Sequence, residues 1–525
     1  MTCAEAIAHV LASQGPPTIF GYPGAHTVKL HAAIARHPTL THVLVRHEQG
    51  AAFAADGYAR ASGGPGVFLT TAGPGATNAV TAVAESFTNS VPTVHLCCLV
   101  DRRFVGRSLG AWHEADIEAI FRPITKWSAT AREAEEAPRL VLRALREAVS
   151  GRPRPTQVCI PRDLLGESVP APQATEVAPP REPDGQQIRQ AAQLIAEAER
   201  PVIIAGGGSV RAAEEVRALA RLTQAGVATT SMGKGVFPGD DPLSLGVSFS
   251  PAGGAALAEA DVCLAVGCRF TQIATRDWTA RIPRHLIHID IDPSVIDLHY
   301  PAQVGIDADG AKTLSSLFGE LAGVRMPDRS SWTARVAELR ATDRRAAGQA
   351  AELCRLLRTA IPHETLMVGD VASLVYGMFV HFDVYEPAGF VYPAGYIAMG
   401  YGLPAAIGVQ MARPERPVVC IAGDGSFSMS LMELATTTQN GLPVKVLLLN
   451  NDCLGSIAYY AGEERADLES VVALQNPDFV SLAQAHAIPA DRVALEDTGR
   501  LSERLKWLQR EEGPALLEVK YASLT

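Results

Sequence analysis

Short, continuous apolar runs recur along the chain, separated by longer stretches of helical character. In the first third they fall at Thr18–Phe20, Val43–Val45, Val67–Thr70, Val94–Leu96 and Gln157–Ile160. In the middle they fall at Val202–Ala205, Val227–Thr230, Val262–Val266 and Leu286–Ile289. In the last third they lie near Leu366–Val368 and at Val418–Ala422, Val444–Leu449 and Leu516–Val519. Unbroken Val/Ile/Leu runs, rather than apolar–polar alternation, suit strands covered on both faces. Strands alternating with helices predict parallel sheets. The expected fold class is α/β, built as three doubly wound parallel-sheet domains.

Two stretches break the rhythm. Val169–Gly185 is Pro-rich and reads as an extended linker. Arg325–Gln349 is charged and Ala-rich, has helical character, and reads as a bridge between the middle and last blocks. The expected domains are therefore 1–168, 185–325 and 350–525. The length of 525 residues agrees with that division at about 150 residues per domain.

Composition narrows the class. Hydrophobic residues make up 47% and charged residues 19%, which suits packed cores and excludes a mainly disordered chain. Lys+Arg 46 against Asp+Glu 56 gives a net charge of −10. That balance argues against a broad nucleic-acid or membrane surface. No apolar run approaches the length of a membrane span, and the start MTCAEAIAHV lacks the basic and apolar regions of a secretory signal. The 9 cysteines are scattered without a CxxC pair, as expected of buried, reduced thiols in a cytoplasmic protein.

The sharpest chemistry lies in the last block. The run Val418–Ala422 ends in Gly423–Asp424–Gly425–Ser426, and Val444–Leu449 ends in Asn450–Asn451–Asp452. The interval between them holds one helix, expected at about Met429 to Asn440, and the return strand. Both polar clusters then sit at carboxyl ends of parallel strands, where open α/β sheets bind ligands. The Asp424 carboxylate and Asn451 amide are hard oxygen donors suited to Mg²⁺ alongside phosphate oxygens. Gly423 and Gly425 permit tight turns and close approach, and Ser426 could donate to a phosphate.

This spacing resembles the metal and diphosphate motif of the thiamine-diphosphate (ThDP) enzymes. The resemblance implies Mg²⁺ held by Asp424, Asn451 and the main-chain carbonyl of Cys453. RHEQGAAFAADGYARASG (Arg46–Gly63) is similar to the amino-terminal pyrimidine-binding domain of the acetohydroxyacid (acetolactate) synthase branch. Taken alone, Glu48 would read as a helix-initial acid complementing the dipole. The resemblance instead makes it the carboxylate that polarises the aminopyrimidine so that the cofactor can lose its C2 proton. Tyr392–Gly408 (YPAGYIAMGYGLPAAIG) also resembles that branch. It implies that Met399 wedges between the cofactor rings and enforces their bend. Ile397 stands where the family usually has Gly. Asp370–Val371–Ala372–Ser373 resembles the diphosphate loop, with Ser373 as a phosphate contact. The family's domain order matches the three blocks: pyrimidine-binding, central and diphosphate-binding. Its site lies between subunits, which implies a homodimer or dimer of dimers in which Glu48 of one chain meets Asp424 and Asn451 of another.

Substrate-side residues decide among the family's reactions. GYPGAH (Gly21–His26), LTTAGPGATN (Leu69–Asn78) and HEADIEAIFRPITKW (His113–Trp127) resemble the synthases. Trp112–His113 replaces the synthases' Phe-Gln, which makes His113 a candidate proton donor or substrate-carboxylate partner. His26 and His47 are weaker candidates of the same kind. Leu454–Tyr460 lacks the Trp that shapes the synthases' acceptor pocket, so the acceptor is expected to differ. In the middle block, Ala205–Ser209 and His288–Pro293 suit a nucleotide, and Gly267–Phe270, with Arg269, matches a run found near the synthases' flavin. Ser248–Ala252 replaces their Met-His-Gly, so both FAD and a vestigial domain stay open. The expected function is decarboxylation of a 2-oxo acid with transfer of the acyl-anion equivalent to a carbonyl acceptor. A simple decarboxylase is the runner-up, followed by a flavin-linked oxidase and a non-catalytic scaffold.

Overall fold

The computed structural model describes residues 1–171, 181–346 and 348–522. Most of the expected Val169–Gly185 linker lies outside the described residues. The chain divides into two compact units. One comprises Met1–Val177, Glu364–Ser373 and Val391–Thr525, and the other Ala178–His363 and Leu374–Phe390. Among the described residues no helix is long and apolar enough to cross a membrane.

Three six-stranded parallel sheets, flanked by helices, form the scaffold. The first contains β1 (Thr18–Gly21), β2 (Thr41–Leu44), β3 (Gly66–Thr70), β4 (Thr93–Leu99), β5 (Trp127–Thr130) and β6 (Thr156–Pro161), in the order β2-β1-β3-β4-β6-β5. The second contains β7 (Pro201–Ala205), β8 (Gly226–Thr229), β9 (Ser244–Val247), β10 (Val262–Val266), β11 (His285–Asp290) and β12 (Val304–Asp307), in the order β12-β11-β10-β7-β8-β9. The third contains β13 (Leu366–Gly369), β14 (Phe390–Val391), β15 (Val418–Gly423), β16 (Lys445–Asn450), β17 (Ala490–Ala494) and β18 (Ala515–Lys520), in the order β14-β13-β15-β16-β18-β17.

The first and third sheets share one topology. In each, the order reverses between the first and third strands, which opens a crevice at their carboxyl ends. Tyr22–His26 and Thr71–Gly75 follow β1 and β3. Asp370–Ser373 and Asp424–Ser426 follow β13 and β15. The runs that form β3, β4, β15 and β16 are buried along their whole length. Within this unit, helices Glu48–Ser62 and Gly402–Ala412 meet backbone to backbone. A Cβ on Gly57 would strike the Ala405 carbonyl, and one on Gly408 the Ala54 carbonyl.

Two expectations are corrected. The Arg325–Gln349 segment is more than a bridge: its helix Ser330–Arg344 buries Trp332, Val336 and Leu339 in one core cluster with Val202, Ile204 and Ala228 of the second sheet. Arg329, wholly buried, donates to the carbonyls of Ile195 (2.6 Å), Ala198 (2.8 Å) and Thr223 (2.6 Å), satisfying the open ends of two helices. The helix expected at Met429–Asn440 is also broken up. The chain is helical over Asp424–Ser428, forms a 3₁₀ turn at Leu431–Glu433, and is helical again over Leu434–Gln439.

Candidate active site

Gly423 closes β15, and Asp424 opens the short helix after it. Asp424 is only 3% exposed. Its Oδ1 accepts from the Gly425 N–H at 3.0 Å and its Oδ2 from Asn476 Nδ2 at 2.7 Å. Burial pushes this carboxyl above its ordinary pKa, and the charge of Asp452 adds to the rise. Asn476 Nδ2 also reaches Asn450 Oδ1 (3.3 Å) and Asp452 Oδ1 (3.0 Å). One amide nitrogen is thus ringed by oxygens, with Lys520 Nζ paired to the other oxygen of Asp452. The oxygens expected to hold a cation are the Asp424 carboxylate, the Asn451 amide and the Cys453 carbonyl. That donor set suits a hard divalent ion, and the desolvated Asp424 is a carboxylate that such an ion would stabilise.

The neighbouring turns are tightly fitted. Asn450 donates to Glu518 Oε1 at 2.6 Å, which fixes the end of β16, and Asp452 takes φ +53°. The Cys453 carbonyl accepts from the Gly455 N–H at 2.8 Å. A Cβ on Gly455 would lie 2.9 Å from both Asn451 Nδ2 and Ser373 Oγ, so these two candidates flank one point. Ser373 Oγ pairs with Ser456 Oγ at 3.3 Å. The Ser426 hydroxyl donates to the Val371 carbonyl at 2.5 Å, tying the Asp424 loop to the Asp370 loop rather than standing ready as a donor. Gly425 leaves room for Leu454 and Leu474, and its Cβ position lies 3.6 Å from Met399 Cε. The structure therefore places the half-buried Met399 beside the Asp424 loop. Gly400 follows at φ +80°, and the Gly402 N–H donates to Asp370 Oδ2 at 2.8 Å. Burial pushes Asp370 up to about 6, against the pull of the Gly402 and Val371 N–H groups.

A second group of candidates gathers on the first sheet. Glu48 is the first residue of its helix, 8% exposed, and its Oε2 accepts from Asn78 Nδ2 at 2.9 Å. A Cβ on Gly75 would lie 3.0 Å from Glu48 Oε1 and 2.6 Å from Thr71 Cγ2, so only glycine lets that loop close over the carboxylate. Thr71 Oγ1 pairs with Nδ1 of the buried His26 at 3.3 Å. The His26 ring lies 5.3 Å from that of His113 and 5.2 Å from that of Trp112, which is 62% exposed. Burial first, then the charges of Arg162 and His113, pull the His26 pKa down. His113 sits at φ +67°, facing Gly73, and its buried Nδ1 has no hydrogen-bond partner. His47, by contrast, is the N-cap of the Glu48 helix: its Nδ1 accepts from the Gln49 N–H at 3.2 Å.

Sequence reasoning missed three residues. Asn476 and Asn78 each hold a candidate carboxylate, and Glu433 accepts the Arg46 and His47 N–H groups ahead of Glu48. No motif spacing marks Asn476 or Glu433. Asn78 closes the LTTAGPGATN segment and could have been found there.

In the second unit, the glycine run after β7 has a packing reason. A Cβ on Gly206 would strike the Gly267 carbonyl, and one on Gly208 would lie 2.7 Å from Gly267 Cα. Ser250 caps helix Pro251–Glu259, and Ser248 donates to the Ala274 carbonyl at 2.9 Å. His288 Nε2 pairs with the Cys268 carbonyl at 2.9 Å.

Paired switch-point crevices, one lined by a helix-initial glutamate and the other by Asp-Gly and Asn-Asn turns, define an α/β enzyme of the cofactor-diphosphate type. Comparison with known families identifies which one. Residues 1–120 match the thiamine pyrophosphate enzyme N-terminal TPP binding domain, 188–317 the central domain, and 370–519 the C-terminal TPP binding domain. The chain belongs to the thiamine pyrophosphate (thiamine diphosphate) enzyme family. It is 37% identical to a probable 2-ketoarginine decarboxylase of Pseudomonas aeruginosa, over 99% of this chain and 94% of that protein. It is 36% identical to a probable acetolactate synthase large subunit of Methanocaldococcus jannaschii, over 99% and 92%. Against the acetolactate synthase isozyme 2 large subunit of Escherichia coli it is 34% identical, over 100% and 96%.

Proposed function

We propose that this ThDP enzyme uses Mg²⁺ to decarboxylate a 2-oxo acid and passes the acyl-anion equivalent to a second carbonyl, in the manner of an acetolactate synthase. The observation that supports the cofactor part of the reading is Met399 Cε lying against Gly425, beside the Asp424 oxygen cluster; the synthase part rests on the likeness to acetolactate synthases along nearly the whole chain. When bound, ThDP would supply a cationic ring able to take up the electron pair left by decarboxylation. The protein's part is to hold and orient. Asp424, Asn451 and the Cys453 carbonyl would hold Mg²⁺, and Ser373 would meet the diphosphate. Gly423 and Gly425 let the loop backbone approach it, with the Ser426 hydroxyl bracing that loop. Met399 would bend the cofactor, and Glu48, oriented by Asn78, would hold a proton against the aminopyrimidine. The working unit is a homodimer or dimer of dimers, with Glu48 of one chain serving the Asp424 site of another, and it acts in the cytoplasm.

One observation favours a second reading, simple decarboxylation with release of an aldehyde. His26 and His113 lie side by side next to Thr71 and Glu48, where a proton donor would end the reaction before an acceptor is joined. The relatives include both a decarboxylase and synthases by name. The test is a panel of 2-oxo acids, cationic ones included, with and without aldehyde and keto acceptors, reading CO₂ and condensed products together. CO₂ without condensed product under every acceptor rejects the synthase reading. Flavin content of the purified protein, together with peroxide formation, decides whether the second unit serves FAD and whether an oxidase reading applies. Absence of any C2-proton exchange in added ThDP would leave only a scaffold.

A further inference from the structure

The segment leading to Met399 carries a backbone anomaly. Ile397 sits at φ +59°, in the left-handed region that a β-branched residue adopts only where its surroundings hold it. The neighbouring Ala398 N–H donates to Glu85 Oε2 at 3.0 Å. The other oxygen of Glu85 accepts from Asn89 Nδ2. Glu85 is wholly buried on helix Val80–Asn89. A Cβ on Gly395 would lie 2.7 Å from both Asn89 Oδ1 and Thr88 Cγ2, so the segment lies flush on that helix. Its ends are tied as well. Arg60 donates to the Tyr392 carbonyl at 2.9 Å, and the Tyr401 hydroxyl donates to Asp56 Oδ1 at 2.7 Å. Glu85 grips the middle, next to the strained residue.

We propose that Glu85 is a positioning residue whose carboxylate fixes the left-handed turn at Ile397 and thereby sets Met399 against the Gly425 loop. An acceptor at this point must be strong, because the bond works against backbone strain. A buried carboxyl supplies that above about pH 7, where it is ionised and, away from water, bonds an N–H more strongly than a neutral oxygen does. The Arg60 charge nearby steadies the ionised form, while burial pushes the carboxyl up to about 7. The link from the turn to catalysis rests on reading Met399 as the residue that bends ThDP. The clamp itself does not depend on that reading.

The experiment is amide hydrogen exchange of the full chain without cofactor, followed by C2-proton exchange after ThDP and Mg²⁺ are added. The variants are Glu85→Gln, Glu85→Ala, Ile397→Gly and the double variant Glu85→Ala with Ile397→Gly. Removing the acceptor should speed exchange across 396–400 about tenfold or more in Glu85→Ala, and less in Glu85→Gln, with the β15 amides unchanged. The loaded protein should lose C2 exchange in Glu85→Ala. The double variant, relieved of the strain at position 397, should recover much of it, which a merely structural loss would not allow. Unchanged exchange across 396–400 in both Glu85 variants, or equal C2 loss with and without Ile397→Gly, overturns the proposal. Faster loop exchange with full C2 activity supports the clamp and rejects the role given to Met399.

Discussion

The Glu433 carboxylate accepts the main-chain N–H groups of Arg46 at 3.0 Å and His47 at 3.2 Å, the two residues directly ahead of Glu48. Glu433 is buried, and it also accepts from Thr436 Oγ1 at 2.6 Å. A Cβ on Gly50 would collide with the same carboxylate. A side chain from the segment after β15 therefore shapes the strand-to-helix turn that presents Glu48. Glu433→Ala leaves two half-buried N–H groups without this acceptor and should destabilise the cofactor-free chain by about 2 kcal/mol, measured by urea unfolding. Glu433→Gln should cost less. A midpoint unchanged in both variants would show that the turn stands without this acceptor.

Glu48 itself is tested apart from stability. Glu48→Gln preserves shape and the bond from Asn78, and removes the acid. C2-proton exchange of bound ThDP should slow about tenfold or more, while the urea midpoint stays near that of the parent. Unaltered exchange would remove Glu48 from its assigned role.

The Asp424 cluster makes a prediction about metal. Asn476 orients Asp424 and stands among the oxygens of Asn450 and Asp452. Asn476→Ala frees the carboxylate to rotate and should weaken Mg²⁺-dependent ThDP binding about tenfold. Asp424→Ala should weaken it further. Calorimetric titration of ThDP at stepped Mg²⁺ concentrations measures both. Binding that does not respond to Mg²⁺ in the parent chain would dismiss the assigned donor set.

What the sequence could convey follows from where each feature lies. The strands it missed are β5, β9, β12, β14 and β17, and every one is a sheet edge. Edge strands are covered on fewer sides, so their residues need not form apolar runs: β5 reads Trp-Ser-Ala-Thr and is half-buried throughout, and β17 carries an exposed Arg492. The strand-end positions of Asp424, Asn451 and Glu48 were legible because their motifs are local, a strand followed by a turn. Asn476 and Glu433 were not, because only tertiary packing brings them to the residues they hold. His47 and Ser426 show the converse. Their residue types suit chemistry, yet one caps a helix and the other braces two loops.

Glu85 has a pH signature. Its carboxyl is raised from 4.5 to about 7, first by burial, with Ala398 and Arg60 lowering it and Asp56 raising it. A folded-state value above the unfolded one means that the native chain binds this proton more tightly. The resulting stability is full below the unfolded value and is lost as pH rises through about 7. Asp370, raised from 3.8 to about 6, has the same sign. Between about pH 5 and about pH 8, the parent chain should lose on the order of 2 kcal/mol relative to Glu85→Gln, which has no proton to release at that position. Parallel stability–pH curves for the two chains would contradict the assignment.

His113 bears on the fate of the decarboxylated substrate. It is held at φ +67° against Gly73, its buried Nδ1 is unpartnered, and its ring clusters with those of His26 and Trp112. An imidazole can serve as a general acid toward a reacting carbon, whereas an amide cannot. His113→Gln restores the residue type found in the synthases at this position. If His113 protonates the reacting carbon, the variant should release less aldehyde and form more condensed product from the same 2-oxo acid and acceptor. A severalfold rise in the product ratio, with CO₂ release changed less, is the expected result. The fold should tolerate the change, although Gln pays more than Gly for the left-handed backbone. A His113→Gly control separates the two effects, since it relieves the backbone without supplying either side chain. Equal product ratios in the parent and both variants would place the proton donor elsewhere and leave His26 as the residue to test.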